Sequence, residues 1–501
     1  MKMKLNLLSA ILLAALVLSS CGGSESGQQT GKESTTTGWT YNDPTNGGFA
    51  VASTEEQETG PGLVLVEGGT FTMGRVQDDV MYEWNAVPRR VTVSSFYMDE
   101  TEVRNIDYRE YIYWLVRVFG ENNIAVVHNA LPDTLVWRDP VAYNEPYVEY
   151  YFRHPAYNQY PVVGVDWLQA NDYCIWRTDR VNERILVEMD YIELSTDQKD
   201  ENNFNTDAYL AGIYQPVIRN PLESLDPNKD SRIYSIEDGV LLPKYRLPSE
   251  AEWEFAAFAL KGNTSEELVW ERRVYPWSGH NVRNDNVKNL GEMRANFVRG
   301  NGDMMGIAGN LNDGGSITVP VKNFWPNDYG LYCMAGNVNE WVADVYRPLS
   351  FEDVSGFNPY RGNEFQKIYR NPADNNAEVD SLGRLKTVSI TEKDAEGRFN
   401  YRKSDYRNYK DGDLQSSMYF ETKDTASEEY KNGSKNMYVS SQYEKSSLVN
   451  DNVRVYKGGS WKDRAFFLSP GTRRFLLETE SRDDIGFRCA MTRVGSPTGI
   501  Q

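Results

Sequence analysis

The hydrophobic positions of this chain form short islands that are separated by long polar stretches. Residues 63–74, with the sequence LVLVEGGTFTMG, predict a strand, a Gly-Gly turn and a second strand. Residues 91–93 and 96–98 predict a further short strand with a bend. The folded part of the chain is therefore expected to begin near residue 63.

Two capping boxes predict where two helices begin. Asp166 stands three residues before Gln169, so its carboxylate can accept a first-turn backbone N–H while Gln169 reaches back. Ser249 and Glu252 repeat this arrangement at the second helix. Cys174 falls on the apolar face of the first helix, which predicts a buried thiol rather than a nucleophile.

The N-terminus has an apolar run at residues 7–18 after a short basic stretch. The run is too short to span a membrane, but it has the length of a signal peptide's apolar region. Small residues then precede Cys21, an order that resembles the bacterial lipobox, whose cysteine is acylated and becomes the first mature residue. We predict a signal peptide at 1–20 and lipid on Cys21. An ordinary signal peptide with an incidental cysteine is the alternative.

The residue after Cys21 indicates which membrane holds the lipid. It is Gly22, rather than the aspartate that keeps many such lipoproteins at the inner membrane. We therefore expect the mature chain at the periplasmic face of the outer membrane. No later segment is long and apolar enough to cross a membrane.

Composition suggests how the mature chain is divided. Residues 21–60 are rich in Gly, Ser, Thr, Gln and Glu and predict a flexible, lipid-anchored linker. Residues 61–495 are expected to form one domain with polar insertions at about 179–242 and 347–450. The larger insertion is rich in tyrosine. It is either a solvated, partly disordered segment or a surface that a partner buries, and we favour the second.

The net charge of −19 excludes some classes of partner. Loss of Lys2 and Lys4 with the signal peptide makes it −21. Nucleic acid is not expected, because phosphate binding needs clustered basic residues. Three histidines far apart in sequence disfavour a histidine metal or acid–base centre. Beyond the predicted lipidation site, three cysteines allow at most one intramolecular disulfide: Cys174, Cys333 and Cys489.

Taken in order, the islands resemble the formylglycine-generating enzyme, or sulfatase-modifying factor, family. The matching segments are EGGTFTMG (67–74), ETEVRN (100–105), PVVGVDW (161–167), RLPSEAEWE (246–254), YPW (275–277), NDYGLY (327–332), GNVNEW (336–341), RVYKGGSW (454–461) and GFRC (486–489). The series runs from about 63 to 494, and its order is more specific than any one motif. The resemblance implies an α+β domain with a C-type-lectin-like fold, short strands, much irregular backbone and long insertions.

The catalytic part of that family pattern is missing. Enzymes of the family oxidise a substrate cysteine with two cysteines that follow the Gly-Gly-Ser motif and hold copper(I), a soft metal suited to thiolates. After Ser460, this chain has Asp463 and Leu468 at the corresponding positions. We therefore expect no copper and no catalytic residues, and we predict a pseudoenzyme. An active oxidase of exported sulfatases is the alternative, and a lectin-like binder of surface glycans, from fold analogy alone, is a third.

The family resemblance also implies calcium, a hard cation that binds oxygen ligands. Asn296 and Asp313, with the backbone carbonyls of Phe297 and Gly315, correspond to one calcium site. Ordinary loop hydrogen bonding by the same residues is the alternative. At a second site Gly336, Val338 and Glu340 match, but Cys333 stands where the family has Asn or Asp. A thiol is a poor calcium ligand, so we do not expect calcium there.

Three segments outside the enzyme motifs resemble the PorK/GldK lipoprotein family of the type IX secretion and gliding apparatus. They are PDTLVW (132–137), AYNEP (142–146) and WRTDRVNE (176–183). The resemblance implies a structural role, in which many copies associate with a PorN/GldN-type periplasmic partner into a ring under the outer membrane. Such a ring requires heterologous subunit contacts that close by rotation, and we place them on the tyrosine-rich insertions.

Overall fold

The computed structural model describes residues 32–52, 56–75, 82–83, 85–259, 273–299, 313–347, 356–362, 365–390 and 452–495. The predicted signal peptide, Cys21 and most of the insertion expected at 347–450 lie outside these residues. The described residues contain six α-helices and fourteen β-strands, so the expected α+β class is confirmed.

The helices are α1 (Asn105–Phe119), α2 (Ile124–Ala130), α3 (Glu145–Tyr150), α4 (Trp167–Glu188), α5 (Thr206–Leu210) and α6 (Glu250–Phe258). Both predicted capping boxes are confirmed. Asp166 Oδ1 accepts a hydrogen bond from Gln169 N at 2.8 Å, and Ser249 Oγ accepts one from Glu252 N at 3.2 Å. Cys174 lies on the buried face of α4, as predicted. None of the described helices is long and apolar enough to cross a membrane.

The strands are β1 (Leu63–Val66), β2 (Gly69–Met73), β3 (Arg89–Val93), β4 (Phe96–Asp99), β5 (Leu222–Glu223), β6 (Ser231–Arg232), β7 (Tyr245–Arg246), β8 (Asn339–Val345), β9 (Gln366–Ile368), β10 (Thr387–Ser389), β11 (Val453–Lys457), β12 (Arg474–Leu477), β13 (Ile485–Phe487) and β14 (Ala490–Thr492). One four-stranded sheet is antiparallel and has the order β1-β4-β14-β7. The other has the order β12-β11-β8-β13, with β13 parallel to β8.

The predicted strands near residue 63 exist, but the Gly-Gly turn does not join two paired strands. β1 pairs with β4, whereas β2 pairs with β3. The segment predicted as one bent strand is therefore two strands, which belong to different sheets. The backbone crosses closely at this point, because a Cβ on Gly68 would lie 2.4 Å from the carbonyl oxygen of Val93. Glycine permits that approach.

An aromatic cluster packs between α1, α4 and β13. The ring of Tyr108 on α1 stacks on that of Tyr173 on α4, with 5.6 Å between centroids, and meets Phe487 on β13 edge-on. All five residues of β11 are buried, because strands cover both of its edges and side chains cover both of its faces.

The described chain divides into two compact units. The smaller unit contains residues 32–52 and 56–57 with Leu222–Gly239 and Gly495, and includes the β5–β6 hairpin and a turn at Pro44–Asn46 that Asp43 caps. The larger unit contains the described residues of 58–221 and 240–494. Part of the predicted 21–60 linker thus has local structure, and its role as a tether stays a prediction.

Candidate functional site

Gly458 and Gly459 set the course of the loop that follows β11. Both have positive φ, +101° and +72°. A Cβ on Gly459 would lie 2.8 Å from the carbonyl oxygen of Phe467, so the loop can close only over a residue without a side chain. The closed loop buries the next residue, Ser460, whose hydroxyl donates to Asp463 Oδ2 at 2.7 Å.

Asp463 forms a bidentate ion pair with Arg474, the first residue of β12. Arg474 Nη1 donates to Oδ1 at 2.6 Å, and Nη2 donates to Oδ2 at 2.7 Å. Asn339 Nδ2 donates to Oδ2 at 3.2 Å. Burial raises the pKa of Asp463, but the hydrogen bonds and charge of Arg474 outweigh it, so this pKa lies below its ordinary value. The carboxylate is a fixed anion that a guanidinium already neutralises.

Leu468, which the sequence resemblance predicts to correspond to the second family cysteine, is apolar and buried. Leu468 ends the 3-10 turn Ala465–Leu468, and its side chain is fully buried. It packs in a cluster with Met293, Phe297 and Ala335. A buried hydrocarbon side chain offers neither a metal ligand nor a group that can exchange electrons.

The three cysteines of the described residues lie outside the loop that follows Ser460. Cys174 on α4 and Cys489 beside β14 are fully buried, and their Sγ atoms lie 3.4 Å apart. Cys333 precedes β8, and its Sγ donates to the carbonyl oxygen of Val321 at 3.4 Å. Burial raises the pKa of the Cys333 and Cys489 thiols. A buried, protonated thiol is a poor nucleophile and a poor metal ligand.

The residues of the first predicted calcium site lie together. A Cβ on Gly315 would be 2.7 Å from Asn296 Oδ1, so the two loops touch at this atom. Asn296 Nδ2 donates to the carbonyl oxygen of Ile317 at 2.8 Å, which fixes the amide. Gly315 N donates to Asp313 Oδ1 at 3.3 Å, and Asn296, Phe297 and Asp313 are all buried. Amide, carbonyl and carboxylate oxygens are the ligand types that calcium prefers, and calcium at this position stays a prediction.

The second calcium site that the family resemblance suggested is built differently. Glu340 accepts from Arg488 Nε at Oε2 and from Arg488 Nη2 at Oε1, both at 2.6 Å. Its Oε2 also accepts from Trp253 Nε1 at 2.7 Å. The carboxylate is thus committed to a buried ion pair. Within the described chain, no three His, Cys, Asp or Glu side chains are grouped to hold a metal, so a cation at Asn296 would rely on amide and carbonyl oxygens beside Asp313.

Sequence reasoning missed Arg474 and Asn339, which hold Asp463. Arg474 on β12 and Asn339 on β8 reach Asp463 because these two strands lie on either side of β11 in the sheet. The spacing of residues in the sequence does not indicate that strand order. One signal was available: an aspartate in an otherwise buried motif requires a cation or several donors. That rule predicts a partner for Asp463 but not which arginine supplies it.

The helices and strands described above define an α+β protein, and its family follows from sequence comparison. The family described as "Sulfatase-modifying factor enzyme 1-like domain" matches residues 48–385, and the chain belongs to that family. The match ends before the Gly-Gly-Ser loop. Mouse formylglycine-generating enzyme is 24% identical over 305 residues, which are 56% of this chain and 58% of the mouse protein. The chain therefore spans little more than half the length of that relative.

Two further similarities complete the comparison. Mouse inactive C-alpha-formylglycine-generating enzyme 2 is 25% identical over 312 residues, which are 58% of this chain and 70% of that protein. Among solved structures, Treponema denticola variable protein 1 is 17% identical with a TM-score of 0.36, and the alignment covers 86% of this chain and 94% of that chain. The chain is thus similar both to a protein named as an enzyme and to a protein named as inactive.

Proposed function

We propose that this chain is a non-catalytic, structural lipoprotein of the sulfatase-modifying factor family. It would assemble with a PorN/GldN-type periplasmic partner into a ring anchored to the outer membrane, in type IX protein secretion. The observation that carries the non-catalytic part is the Asp463–Arg474 ion pair beside the buried Leu468. The C-type-lectin-like arrangement of the domain belongs to the same proposal.

The chemistry of the loop supports loss of catalysis. An oxidase of this family needs two thiolates that can bind copper(I). Here one position is an anion that Arg474 neutralises, and the other is a hydrocarbon in the core. The cysteines at 174, 333 and 489 are buried and belong to other elements, so they do not replace the missing pair. The relative described as inactive supports the idea that the family tolerates such loss.

A direct assay tests this part of the proposal. The purified chain is incubated with copper(I) and a cysteine-containing sulfatase peptide, and mass spectrometry follows formylglycine. We expect no product above a blank that contains copper and peptide only, while mouse formylglycine-generating enzyme serves as the positive control. Formation of formylglycine by this chain would instead establish the active oxidase of exported sulfatases.

Exposed apolar side chains support the assembly part of the proposal. Leu135 and Tyr143 lie in segments that resemble PorK/GldK lipoproteins, and Val141 directly precedes the second of these segments. The side chains of Leu135, Val141 and Tyr143 are 54%, 94% and 83% exposed. Interaction surfaces are marked by exposed apolar side chains that lie close to one another, and these three fall within residues 135–143. Gentle purification from membranes should yield a periplasmic partner and ring-shaped particles by electron microscopy. Monomeric particles without a partner would contradict the assignment.

Matched variants sharpen that experiment. Val141→Asp with Tyr143→Ser should weaken partner recovery without changing the melting temperature, because both side chains are exposed. Trp39→Ser changes an aromatic side chain that is 66% exposed in another part of the chain, and serves as the control. Equal recovery of the partner with all variants would exclude 141 and 143 from the interface.

We propose calcium at Asn296, Phe297, Asp313 and Gly315 as a structural ion. It would join the loop at 296 to the loop at 313–315. Calcium binding to the folded chain should raise the melting temperature, since a ligand at one hundred times its Kd adds about 2.7 kcal/mol. Asp313→Asn should abolish this rise, and Asp285→Asn, an exposed acid elsewhere, should not. Unchanged melting of the wild-type chain in calcium would refute the site.

A further inference from the structure

A cleft of about 320 Å³ lies between the loops at 276–294 and 324–335. Trp277 lines it from the first loop and Trp325 from the second. The buried side chains of Leu331 and Met334 add apolar surface to the lining. The cleft has the volume of a small ligand site, at the lower end of roughly 300–1,000 Å³. The Gly-Gly-Ser loop contributes none of its lining.

The two indoles leave aromatic surface in the cleft. Trp325 is 47% exposed, although tryptophan is among the most costly side chains to leave in water. Trp277 is half-buried and held in place, because its Nε1 donates to the carbonyl oxygen of Asn281 at 2.8 Å and its ring stacks on Tyr275 at 5.1 Å. One wall thus presents a fixed aromatic group and the other an exposed one. Such surfaces bind flat apolar faces.

The charges of the cleft cancel. Among the side chains that line it, Asp285 and Arg294 are the charged pair, and Arg294 Nη2 donates to Asp285 Oδ1 at 2.8 Å. Arg294 Nη2 also donates to Asn284 Oδ1 at 3.2 Å. Because Arg294 and Asp285 are paired with each other, the lining offers no unpaired charge to a phosphate, carboxylate or ammonium group. The ligand it suits is neutral.

Carboxamides supply the remaining polar groups. Asn284, Asn286 and Asn289 line the same wall, at and beside the 3-10 turn Val287–Asn289. The turn is fixed by Asn286 Oδ1, which accepts from Lys288 N at 3.2 Å. The side-chain oxygens of Asn284 and Asn286 already accept hydrogen bonds, so these two residues offer their Nδ2 donors, while Asn289 offers a donor and an acceptor. The wall can therefore bind groups that are donor and acceptor at once. Hydroxyl groups have this property.

We propose that this cleft binds a neutral saccharide. The C–H face of a sugar ring would lie on Trp325, and its hydroxyls would bond to the amides and to the Asp285–Arg294 pair. The volume admits one or two rings. A proline-rich peptide would also use the aromatic walls, but it has few donors and would leave the amide wall unmatched. This inference does not depend on the proposed assembly function.

The test uses the full chain with chitotriose and cellotriose as probes, followed by calorimetric titration and tryptophan fluorescence. We expect saturable binding of at least one of them. Trp325→Ala should weaken it by about tenfold, and Trp325→Phe should restore part of the loss. Asn289→Ala should weaken it by a smaller factor. Trp39→Ala, an exposed tryptophan outside the cleft, should leave it unchanged.

Because Trp325 is exposed, its variants should keep the wild-type melting temperature, which separates a binding defect from a folding defect. Three results would overturn the proposal. The first is that neither saccharide binds the chain saturably. The second is that Trp325→Ala binds a saccharide as well as the wild type does. The third is that a polyproline peptide binds in a Trp325-dependent manner while both saccharides fail to bind.

Discussion

Loss of the Asp463 carboxylate would leave the cation of Arg474 without its counter-ion. Its side chain is 12% exposed and that of Arg474 is 19% exposed, so Asp463→Asn would leave a largely buried guanidinium without an anion. We expect a loss of about 2–4 kcal/mol in the free energy of unfolding, measured by urea denaturation. Glu145→Gln breaks the exposed Arg138–Glu145 pair and should cost less than about 1 kcal/mol. Equal losses would contradict the structural role of Asp463.

The same pair predicts a pH dependence. The folded pKa of Asp463 is lowered, chiefly by Arg474 acting against burial. Its contribution to stability is therefore fully present above the ordinary aspartate range near pH 4, and is lost as pH falls through the lower folded value. The difference in unfolding free energy between the wild type and Asp463→Asn should accordingly shrink below about pH 4.

Asp344 should have the opposite dependence. It is buried, and burial together with the charge of Glu250 raises its pKa to about 7. The folded chain then holds a proton that the unfolded chain releases, so this group lowers stability as pH rises from about 4 to about 7. Asp344→Asn removes the titration. The stability of the variant relative to wild type, from urea melts at about pH 5 and about pH 8, should increase with pH; a constant difference would contradict the raised pKa.

At the scale of elements, local patterns predicted where elements begin better than what they pair with. The caps at Asp166 and Ser249 were predictable because each depends on residues three positions apart. The separation of β3 from β4 was not, because strand partners are chosen by long-range register. The same limit applies to the site. The motif located Asp463 and Leu468, whereas Arg474 reaches Asp463 only through the order of the sheet.

The Gly-Gly turn after β11 permits a prediction at this scale. Gly459→Ala would combine an unfavourable φ of +72° with a Cβ 2.8 Å from the Phe467 carbonyl oxygen. Gly212→Ala has nearly the same φ, +73°, but its Cβ would meet nothing within 4 Å. Gly212→Ala, the control, should lower the free energy of unfolding by about 1 kcal/mol through backbone strain alone. Gly459→Ala should lower the free energy of unfolding by about 2 kcal/mol more than the control, measured by thermal unfolding, because the backbone must move to accommodate the added Cβ.

If the two glycine variants melt alike, the close approach at Gly459 does not shape the loop. The consequence would extend to the site, because the position of Ser460 and its hydrogen bond to Asp463 depend on that turn. Measuring Asp463→Asn in the Gly459→Ala background provides a check. The two losses should be less than additive, as expected for residues of one network.

For the whole molecule, the net charge of −19 bears on how copies could assemble. Copies that carry the same strong charge repel each other, so ring closure by direct contact alone would oppose their electrostatics. A less acidic partner between copies, or localised apolar contacts, would overcome that repulsion. The lipid on Cys21 that the sequence predicts would concentrate copies at a membrane without adding to the contacts. Anchoring and assembly should therefore be separable.

Two variants test that separation. Cys21→Ala should leave the domain folded and still bound to its partner, but move the assembly from the membrane fraction to the soluble periplasmic fraction. Deletion of 391–450 should do the reverse, keeping the chain in the membrane while abolishing ring particles, if the tyrosine-rich insertion supplies the contacts. This deletion retains the described contacts of the flanking chain, including Thr92 N to the Gly356 carbonyl oxygen and Arg361 N to Asp344 Oδ1. Rings that survive the deletion would exclude residues 391–450 as the contact surface, and loss of rings in Cys21→Ala would make the membrane itself a requirement for assembly.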